Sequence, residues 1–306
     1  MKRLLYPLAL VLVAIPILVA GGCGESGIKV GSKIDTEGSL LAQVIIQMLR
    51  DNGLEAVDKS HFGPTSVVRK ALLSGEIDMY PEYTGNGAFF FDEADSVIWK
   101  DAEAGYQRVK MLDEEANNVV WLQPAPADNT WAIAIPVDLA EQEDIRTLDD
   151  LAAYVNGGGY LKLAGSEEFV TSPMALPAFQ EAYGFTLSQD QLLTLSSGNT
   201  AQTEQAAAEG TSGVNAAMAY GTDGSLAALN LVILSDPRGV QPVYEPAPIV
   251  RGEVLDEHPE IADILGPVFE SLDLVTLQTL NAKIALEGQD AADVARDYLT
   301  SMGFLE

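Results

Sequence analysis

The chain has 306 residues, 47% of them hydrophobic, and it carries 45 acidic against 17 basic residues, a formal net charge of −28. So large a negative charge excludes nucleic-acid binding, because phosphates would be repelled, and it disfavours an anionic membrane surface as a direct ligand. A cationic or zwitterionic solute is compatible with this charge, and so is an acidity that serves only solubility or a salty habitat.

The N-terminus has the layout of a cleaved export signal. A basic start at residues 1–3 precedes an apolar stretch at 4–19, and small residues then lead to Cys23, the only cysteine in the sequence. The apolar stretch is short of the roughly 20 residues that a membrane-spanning helix needs. We therefore predict a lipoprotein-type signal peptide (1–22), a lipid on Cys23 and a tether (23–26), with the protein anchored outside the cytoplasm. An ordinary signal peptide with an incidental cysteine, giving a periplasmic protein, is the alternative.

After the signal, short β-like runs alternate with amphipathic helical stretches. The first strands are predicted at 28–30, 55–57 and 77–79, and the first helices at 40–49 and 67–73. This alternation predicts α/β lobes with largely parallel sheets. Polar residues that favour helix starts stand at Thr36 and Ser39, at 64–66 and at 147–150.

Two proline-rich stretches divide the mature chain, which is long enough for about two domains. The first, at 123–128, precedes an apolar strand at 131–135, and the second, at 242–248, precedes a strand at 249–251 and a mostly helical end. We read them as crossings between a discontinuous first lobe and a continuous second lobe, and paired crossings permit hinge closure on a ligand. The predicted lobes are 27–128 with 246–306, and 129–245.

Signatures of catalysis and metal binding are scarce in this sequence. It contains no HExxH, CxxC, GxSxG or Walker pattern, and its two histidines, His61 and His258, are far apart. His61 fits a solvated or packed side chain, and His258 fits a surface helix boundary. We therefore predict a protein that is not an enzyme and that needs no cofactor or metal.

Aromatic residues stand at the ends of predicted strands. Tyr80 and Tyr83 come just beyond the strand at 77–79, Trp131 opens the strand after the first crossing, Tyr220 ends an apolar run, and Tyr244 lies in the second crossing. Ligands of open α/β sheets bind beyond the carboxyl ends of strands, so these rings can converge on one cleft. Taken singly, each of them also fits a place in the core.

Several longer motifs resemble those of a known family. They are VGSK at 30–33, residues 64–72 with SGEID at 74–78, YPEYTG at 80–85, NTWA at 129–132, Tyr220 with TDG at 222–224, and APIVR at 247–251. Together and in this order, they resemble the glycine betaine/choline/carnitine solute-binding proteins of osmoprotectant ABC importers over nearly the whole mature chain.

The resemblance implies a type II periplasmic-binding-protein fold, with two α/β lobes joined by two hinge crossings. It also implies a cage of aromatic rings around a trimethylammonium group, carried over here onto Tyr83, Trp131, Tyr220 and Tyr244, with Asn129 aiding the cation through its carbonyl groups. A quaternary ammonium has no N–H to donate and is attracted to ring faces within about 6 Å.

The other end of the ligand is expected to meet polar groups. The resemblance places Lys33 and Asn86 there, and Thr65 and Ser66 could add contacts from a helix start. A solvated lysine and a simple helix cap are the alternatives for these positions. Asp223 fits a helix cap better than a ligand contact.

Two departures from the family pattern bear on the ligand. Trp131 stands where Tyr is commoner, and Ser172 stands where many relatives carry an Arg that would clamp a carboxylate with two hydrogen bonds. The change at Ser172 favours choline or a larger ligand over glycine betaine, although Lys33 alone could still neutralise the carboxylate of a betaine.

The predicted function is therefore that of the extracytoplasmic solute-binding component of an ABC importer, acting as a monomer. Its partners would be a membrane permease and a cytoplasmic ATPase, both separate chains. A ligand sensor or receptor-type binding protein is the alternative, followed by an extracytoplasmic enzyme acting on a small cationic substrate.

Overall fold

The structure, a computed structural model, describes residues 27–195 and 200–305. The predicted signal peptide, Cys23 and the tether lie outside the described residues. The strands are β1 (Ile28–Lys33), β2 (Ala56–Gly63), β3 (Met79–Tyr83), β4 (Val119–Trp121), β5 (Trp131–Pro136), β6 (Leu163–Ser166), β7 (Leu192–Leu195), β8 (Ala216–Tyr220), β9 (Leu231–Ile233) and β10 (Pro246–Arg251).

The α-helices alternate with the strands along the chain in both lobes. They are α1 (Thr36–Asp51), α2 (Thr65–Leu73), α3 (Gly87–Phe90), α4 (Ala102–Asn117), α5 (Val137–Gln142), α6 (Leu148–Asn156), α7 (Glu167–Thr171), α8 (Leu176–Tyr183), α9 (Thr200–Glu209), α10 (Ser225–Ala228), α11 (Gly252–Glu257), α12 (Glu260–Glu270), α13 (Leu274–Ala285) and α14 (Ala291–Ser301). Within the described ranges, none of them is long and apolar enough to cross a membrane.

The strands form two five-stranded sheets, which confirms the prediction of two α/β lobes. The first lobe has the strand order β2-β1-β3-β10-β4, and the second has the order β7-β6-β8-β5-β9. The sheets are mixed, because β10 runs antiparallel to β3 and β4, and β5 runs antiparallel to β8 and β9. In each sheet the antiparallel strand is the one that follows a crossing, since the chain enters that sheet at the carboxyl edge of its neighbours.

Both faces of the first sheet are covered by helices, so successive side chains of its inner strands are buried on opposite sides. In β3, Met79 packs with α1 and α12–α14, while Tyr80 packs with α2 and α4. The second sheet is built alike: Ile133 of β5 faces α6–α8, and its neighbour Ala134 faces α9 and α10. Because helices cover both faces of each sheet, a ligand can reach the sheet only at the edge where the strands end.

Local boundaries differ from the sequence-based expectation at several positions. β3 extends to Tyr83, so Tyr80 and Tyr83 lie in the strand and not beyond it, because strand pairing with β10 continues through the YPEY segment. α1 is capped by Asp35, whose Oδ1 accepts from Gly38 N at 2.7 Å, one residue before the expected start. The expected start at 147–150 is confirmed by a capping box between Thr147 and Asp150.

Candidate ligand-binding site

A cavity of about 720 Å³ lies between the lobes, at the edge where strands of both sheets end. Lys33 ends β1, Tyr83 ends β3 and Tyr220 ends β8. The antiparallel strands start at the same edge: Trp131 at the beginning of β5 pairs with Tyr220, and Pro246 at the beginning of β10 pairs with Tyr83. The topology therefore brings to one place residues that are far apart in the sequence.

Four aromatic residues line this cavity, namely Tyr83, Trp131, Tyr220 and Tyr244. The rings of Trp131 and Tyr220, a cross-strand pair, are stacked with centroids 6.5 Å apart and an interplanar angle of 19°. Phe169 of α7 meets Trp131 edge-on at 6.0 Å. This support from behind fixes the orientation of the Trp131 ring.

Tyr244 reaches the cavity because Gly85 leaves room for its ring. A Cβ at position 85 would lie 2.8 Å from two ring carbons of Tyr244 and 2.7 Å from the carbonyl oxygen of Val243. Real side chains do not make such contacts, so only glycine permits this approach. The glycine of the YPEYTG motif, Gly85, thus allows the ring of Tyr244, from the second crossing, to reach the cavity.

The two crossings lie side by side next to the cavity, where residues 128–130 are hydrogen-bonded to residues 242–244. Asn129 N donates to the carbonyl oxygen of Tyr244 at 3.0 Å, and Tyr244 N donates to Asp128 Oδ1 at 2.8 Å. Thr130 Oγ1 donates to the carbonyl oxygen of Pro242 at 3.0 Å. These bonds tie the crossings to each other and hold Tyr244 beside Asn129.

Glu37, in the first turn of α1, is the most deeply buried carboxylate of the cavity wall, with 5% of its surface exposed. Its Oε1 accepts from Tyr83 Oη at 2.7 Å and from Asn129 Nδ2 at 3.1 Å, and its Oε2 accepts from Asn281 Nδ2 at 2.7 Å. The Thr222 hydroxyl also bonds to this carboxylate. Burial, together with the nearby Asp35 charge, raises the pKa of Glu37, and the hydrogen bonds from Thr222, Tyr83 and Asn281 oppose that shift.

Glu82, in β3, is fully buried beneath the same wall and neutralises Lys33. Its Oε1 accepts from Lys33 Nζ at 2.5 Å and from Asn86 Nδ2 at 2.7 Å, and its Oε2 accepts from Tyr80 Oη at 2.8 Å. The Lys33 ammonium also lies 4.4 Å from the centroid of the Tyr83 ring. Lys33 is the only basic residue in the cavity wall among the described residues, and its charge is already paired.

The second lobe contributes a different acidic pair. Asp223 lines the cavity and its Oδ2 accepts from Tyr220 N at 2.6 Å. Glu204, fully buried in α9, bonds through Oε2 to the Ser225 hydroxyl and shares a hydrogen bond with Asp223. Burial and the Asp223 charge raise the pKa of Glu204 well above its usual range, so the pair holds a proton at neutral pH.

Most of the residues predicted to contact a ligand lie in the cavity wall. They are Lys33, Thr65, Tyr83, Asn86, Asn129, Trp131, Tyr220 and Tyr244. Ser66 is exposed on α2 and does not reach the wall, and neither Thr65 nor Ser66 caps that helix, whose N-cap is Pro64. Direct contact of each wall residue with a ligand stays a prediction.

Ser172 also lies away from the cavity wall. Its hydroxyl accepts from Met174 N at 3.4 Å at the end of α7, and Glu168, one turn earlier, lines the cavity instead. Asp223 does not cap α10, whose N-cap is Gly224, so the prediction that Asp223 is a helix cap is wrong. A carboxylate, and not the arginine of many relatives, therefore faces the cavity from α7.

Sequence reasoning missed the buried carboxylates Glu37 and Glu82 and the amide of Asn281. Glu37 reads as an ordinary acidic residue in the first turn of a helix, which is favourable there without any further role. Asn281 stands on α13, and nothing local connects it with Glu37. Only the fold, which packs α13 against α1, brings these groups together.

Two α/β lobes with a ligand-sized, ring-lined cavity at their common strand edge define a solute-binding protein of the periplasmic-binding class. The family described as the substrate binding domain of ABC-type glycine betaine transport system matches residues 26–301. The chain belongs to this family, and substrate-binding proteins of ABC importers are extracytoplasmic.

Individual relatives agree with this assignment. The chain is 58% identical to the glycine betaine-binding protein YehZ of Escherichia coli, over 91% of this chain and 92% of that protein. It is 32% identical to a glycine-betaine-binding protein of Pseudomonas aeruginosa, over 100% and 97% of the two chains. The solved structure of apo YehZ superposes with a TM-score of 0.84, covering 91% of this chain and 99% of that one.

Proposed function

We propose that this protein binds a quaternary ammonium solute, of the kind of glycine betaine, choline or carnitine, and delivers it to an ABC permease. The lobes close on the solute by bending at the two crossings, and the protein performs no chemistry on it. The permease and the ATPase that drives it are separate chains. A lipid on Cys23 tethers the protein, as a monomer, to the outer side of the cell membrane.

The observation that carries this proposal is the convergence of four aromatic residues on one cavity. Tyr83 comes from the first sheet, Trp131 and Tyr220 from the second, and Tyr244 from a crossing, yet all line the same space. Each ring face contributes roughly 0.5 to 2 kcal/mol to the binding of a cation, and most when water is excluded. A primary amine would lose its hydrogen bonds to water in such a cage, whereas a trimethylammonium group has none to lose.

The charges around the cavity support a cationic group as well. Asp35, Glu37, Glu168 and Asp223 line it, and Lys33 is neutralised by Glu82. The closely similar relatives are named for glycine betaine, which makes this zwitterion a candidate ligand here. Among the described residues, the wall offers no arginine to the carboxylate of a betaine, so we keep the prediction that choline or a larger ligand binds more tightly than glycine betaine.

Titration calorimetry with choline, glycine betaine, carnitine, proline betaine and ectoine tests the proposal. Tryptophan fluorescence follows the same titrations, because Trp131 lies in the cavity. We expect saturable binding of at least one quaternary ammonium solute. Trp131→Ala should weaken that binding at least tenfold, or about 1.4 kcal/mol, because a ring face is lost.

Trp131→Phe is the matched control, since it keeps a ring in place and should lose clearly less affinity. Binding that Trp131→Ala leaves unchanged would contradict the cage. Glycine betaine that binds at least as tightly as choline would contradict only the choline preference. Genes for a permease and an ATPase beside this gene would separate transport from a sensor function, and turnover of choline by the purified protein would indicate an enzyme.

A further inference from the structure

The Glu37 carboxylate is buried without a positive charge beside it. Each of its four hydrogen-bond donors is a neutral group, and no described basic residue forms an ion pair with it. Lys33, the only basic residue of the described wall, is bonded to Glu82 instead. When it is ionised, Glu37 therefore places in the wall a negative charge that has no positive partner among the described residues, and a cation in the cavity would favour that ionised form.

Buried charges in proteins are normally paired, because removal from water costs more than neutral donors return. The donors around Glu37 fix the position of its carboxylate but leave its net charge in place. A cation that enters the cavity would interact with that charge at low dielectric, where the attraction is much stronger than in water. The missing partner is therefore expected to arrive with the ligand.

We propose that Glu37 is the fixed counter-charge of the cationic group of the ligand and determines the specificity of the site for cations. This inference rests on the proposed function, because it assigns a residue to the cation of that same solute. Glu37 acts directly through its charge and also through Tyr83, whose hydroxyl donates to it at 2.7 Å. A phenol that donates to a carboxylate has a more electron-rich ring, which strengthens the attraction of its face for a cation.

The other carboxylates of the wall do not combine these features. Asp35 is engaged as the cap of α1, Glu168 is exposed, and Asp223 bonds to a backbone N–H and to Glu204. Among the carboxylates of the described wall, Glu37 alone is bonded to one of the four aromatic residues through its side chain. The specificity for cations is therefore assigned to one residue and not to the general acidity of the cleft.

The test compares two ligands of the same shape, choline and its uncharged isostere, in which a quaternary carbon replaces the nitrogen. Calorimetry gives the ratio of their affinities for the wild type, for Glu37→Gln and for Asp51→Asn. Gln keeps the size of the side chain and removes the charge, so the ratio should fall about tenfold or more, mainly through weaker choline binding. Asp51→Asn removes an equal charge from the exposed last residue of α1 and should leave the ratio unchanged.

A ratio that Glu37→Gln leaves unchanged, or equal losses for both ligands, would overturn the inference and indicate a purely structural role. If Glu37→Gln does not fold, the ratio is measured from about pH 7 to about pH 4, the range in which carboxyl groups become protonated, on the wild type and on Glu168→Gln, which lacks the exposed carboxylate of the wall. The ratio should then fall with pH, and a flat ratio would overturn the inference. The titratable groups that act on Glu37 are Tyr83, which donates to it, and Asp35, whose charge raises its pKa, while Lys33, Glu168 and Asp223 line the same cavity.

Failure of the inference is distinguishable from failure of the proposed function. A wild-type protein that binds none of choline, glycine betaine and carnitine would contradict the proposed function itself. A wild-type protein that binds them, with a ratio independent of Glu37, would contradict only the role of this residue.

Discussion

The two walls of the cavity are built on different principles. The wall from the first lobe holds the ionisable groups Glu37 and Lys33, with Glu82 buried beneath them, and their carboxylate oxygens and ammonium are hydrogen-bonded to neighbours. The wall from the second lobe is a stacked pair of rings, Trp131 on Tyr220, with a carboxyl pair behind it that keeps a proton. One wall therefore carries fixed charge, and the other carries ring faces with the nearby acid neutralised.

This difference suggests a division of labour between the lobes. Fixed charges that are fully hydrogen-bonded do not need to rearrange when a ligand arrives, so the first lobe is prepared for a cation before closure. Each lobe also keeps buried polar atoms without a hydrogen-bond partner, Trp131 Nε1 and Glu204 Oε1 in the second lobe and Asn281 Oδ1 in the first. A loop of the second lobe already rests on the first, because a Cβ at Gly224 would lie 2.1 Å from Ala282 N on α13.

The largest expected effect concerns the charged wall and breaks its buried ion pair. Glu82→Gln leaves Lys33 buried without its counter-charge and turns an amide N–H₂ toward other donors. Removing one partner of a buried pair costs about 3 to 5 kcal/mol. We expect the free energy of unfolding, measured by urea denaturation, to fall by that amount.

Glu253→Gln is the matched control for this prediction, since it removes the same charge from an ion pair at the surface. Glu253 lies 3.0 Å from Arg251 with 67% of its side chain exposed, and exposed pairs contribute only about 0 to 1 kcal/mol. Equal losses for the two variants would show that the charged wall is not the rigid element that we describe.

The second prediction concerns the carboxyl pair behind the ring wall. Burial and the Asp223 charge raise the pKa of Glu204 to about 9. The folded protein therefore keeps a proton that the unfolded chain releases near the ordinary glutamate value, and stability falls as the pH rises between the two, by at most about 1.4 kcal/mol per pH unit. Glu204→Gln mimics the protonated form and should stabilise the protein by roughly 1 to 3 kcal/mol at pH 8.

Urea denaturation at pH 6 and pH 8 measures this effect, and the variant should lose most of the difference between the two conditions. Glu209→Gln is the control, because Glu209 ends the same helix in an exposed position. Should Glu204→Gln destabilise the protein at pH 8, the pair would have to be ionised, and the contrast between a charged wall and a neutralised one would be lost.

Sequence reasoning identified the ring wall far better than the charged wall, and the physical reason is clear. The alternation of strands and helices brings the strand ends of one sheet edge together, so Trp131 and Tyr220 could be expected at one cleft, although their stacking on each other was not predicted. The mixed sheets were not anticipated, although the crossings themselves impose an antiparallel strand. Burial of an acidic residue, by contrast, has no local signature.

Glu37 shows this limit directly. Its four donors come from β3, from a crossing, from the loop after β8 and from α13, and each contact depends on the packing of both lobes. The sequence showed an excess of carboxylates but offered no means to choose among them. The starts of β1 and β3 could be predicted to within about two residues, whereas their ends and the pairing of Lys33 with Glu82 required coordinates.

The smallest of the three effects concerns Tyr244, which joins the two walls. Gly85→Ala would place a methyl group 2.8 Å from the Tyr244 ring and 2.7 Å from the Val243 carbonyl oxygen, so the ring must move away. We expect the affinity for the quaternary ammonium solute to fall about tenfold or less, since one of four ring faces is displaced. Calorimetry with choline and glycine betaine measures the loss. Gly266→Ala is the control, because it adds the same methyl group inside α12, away from the cavity wall, and should leave the affinity unchanged. Full affinity in Gly85→Ala would mean that Tyr244 is not part of the cage and that the two walls bind the cation without it.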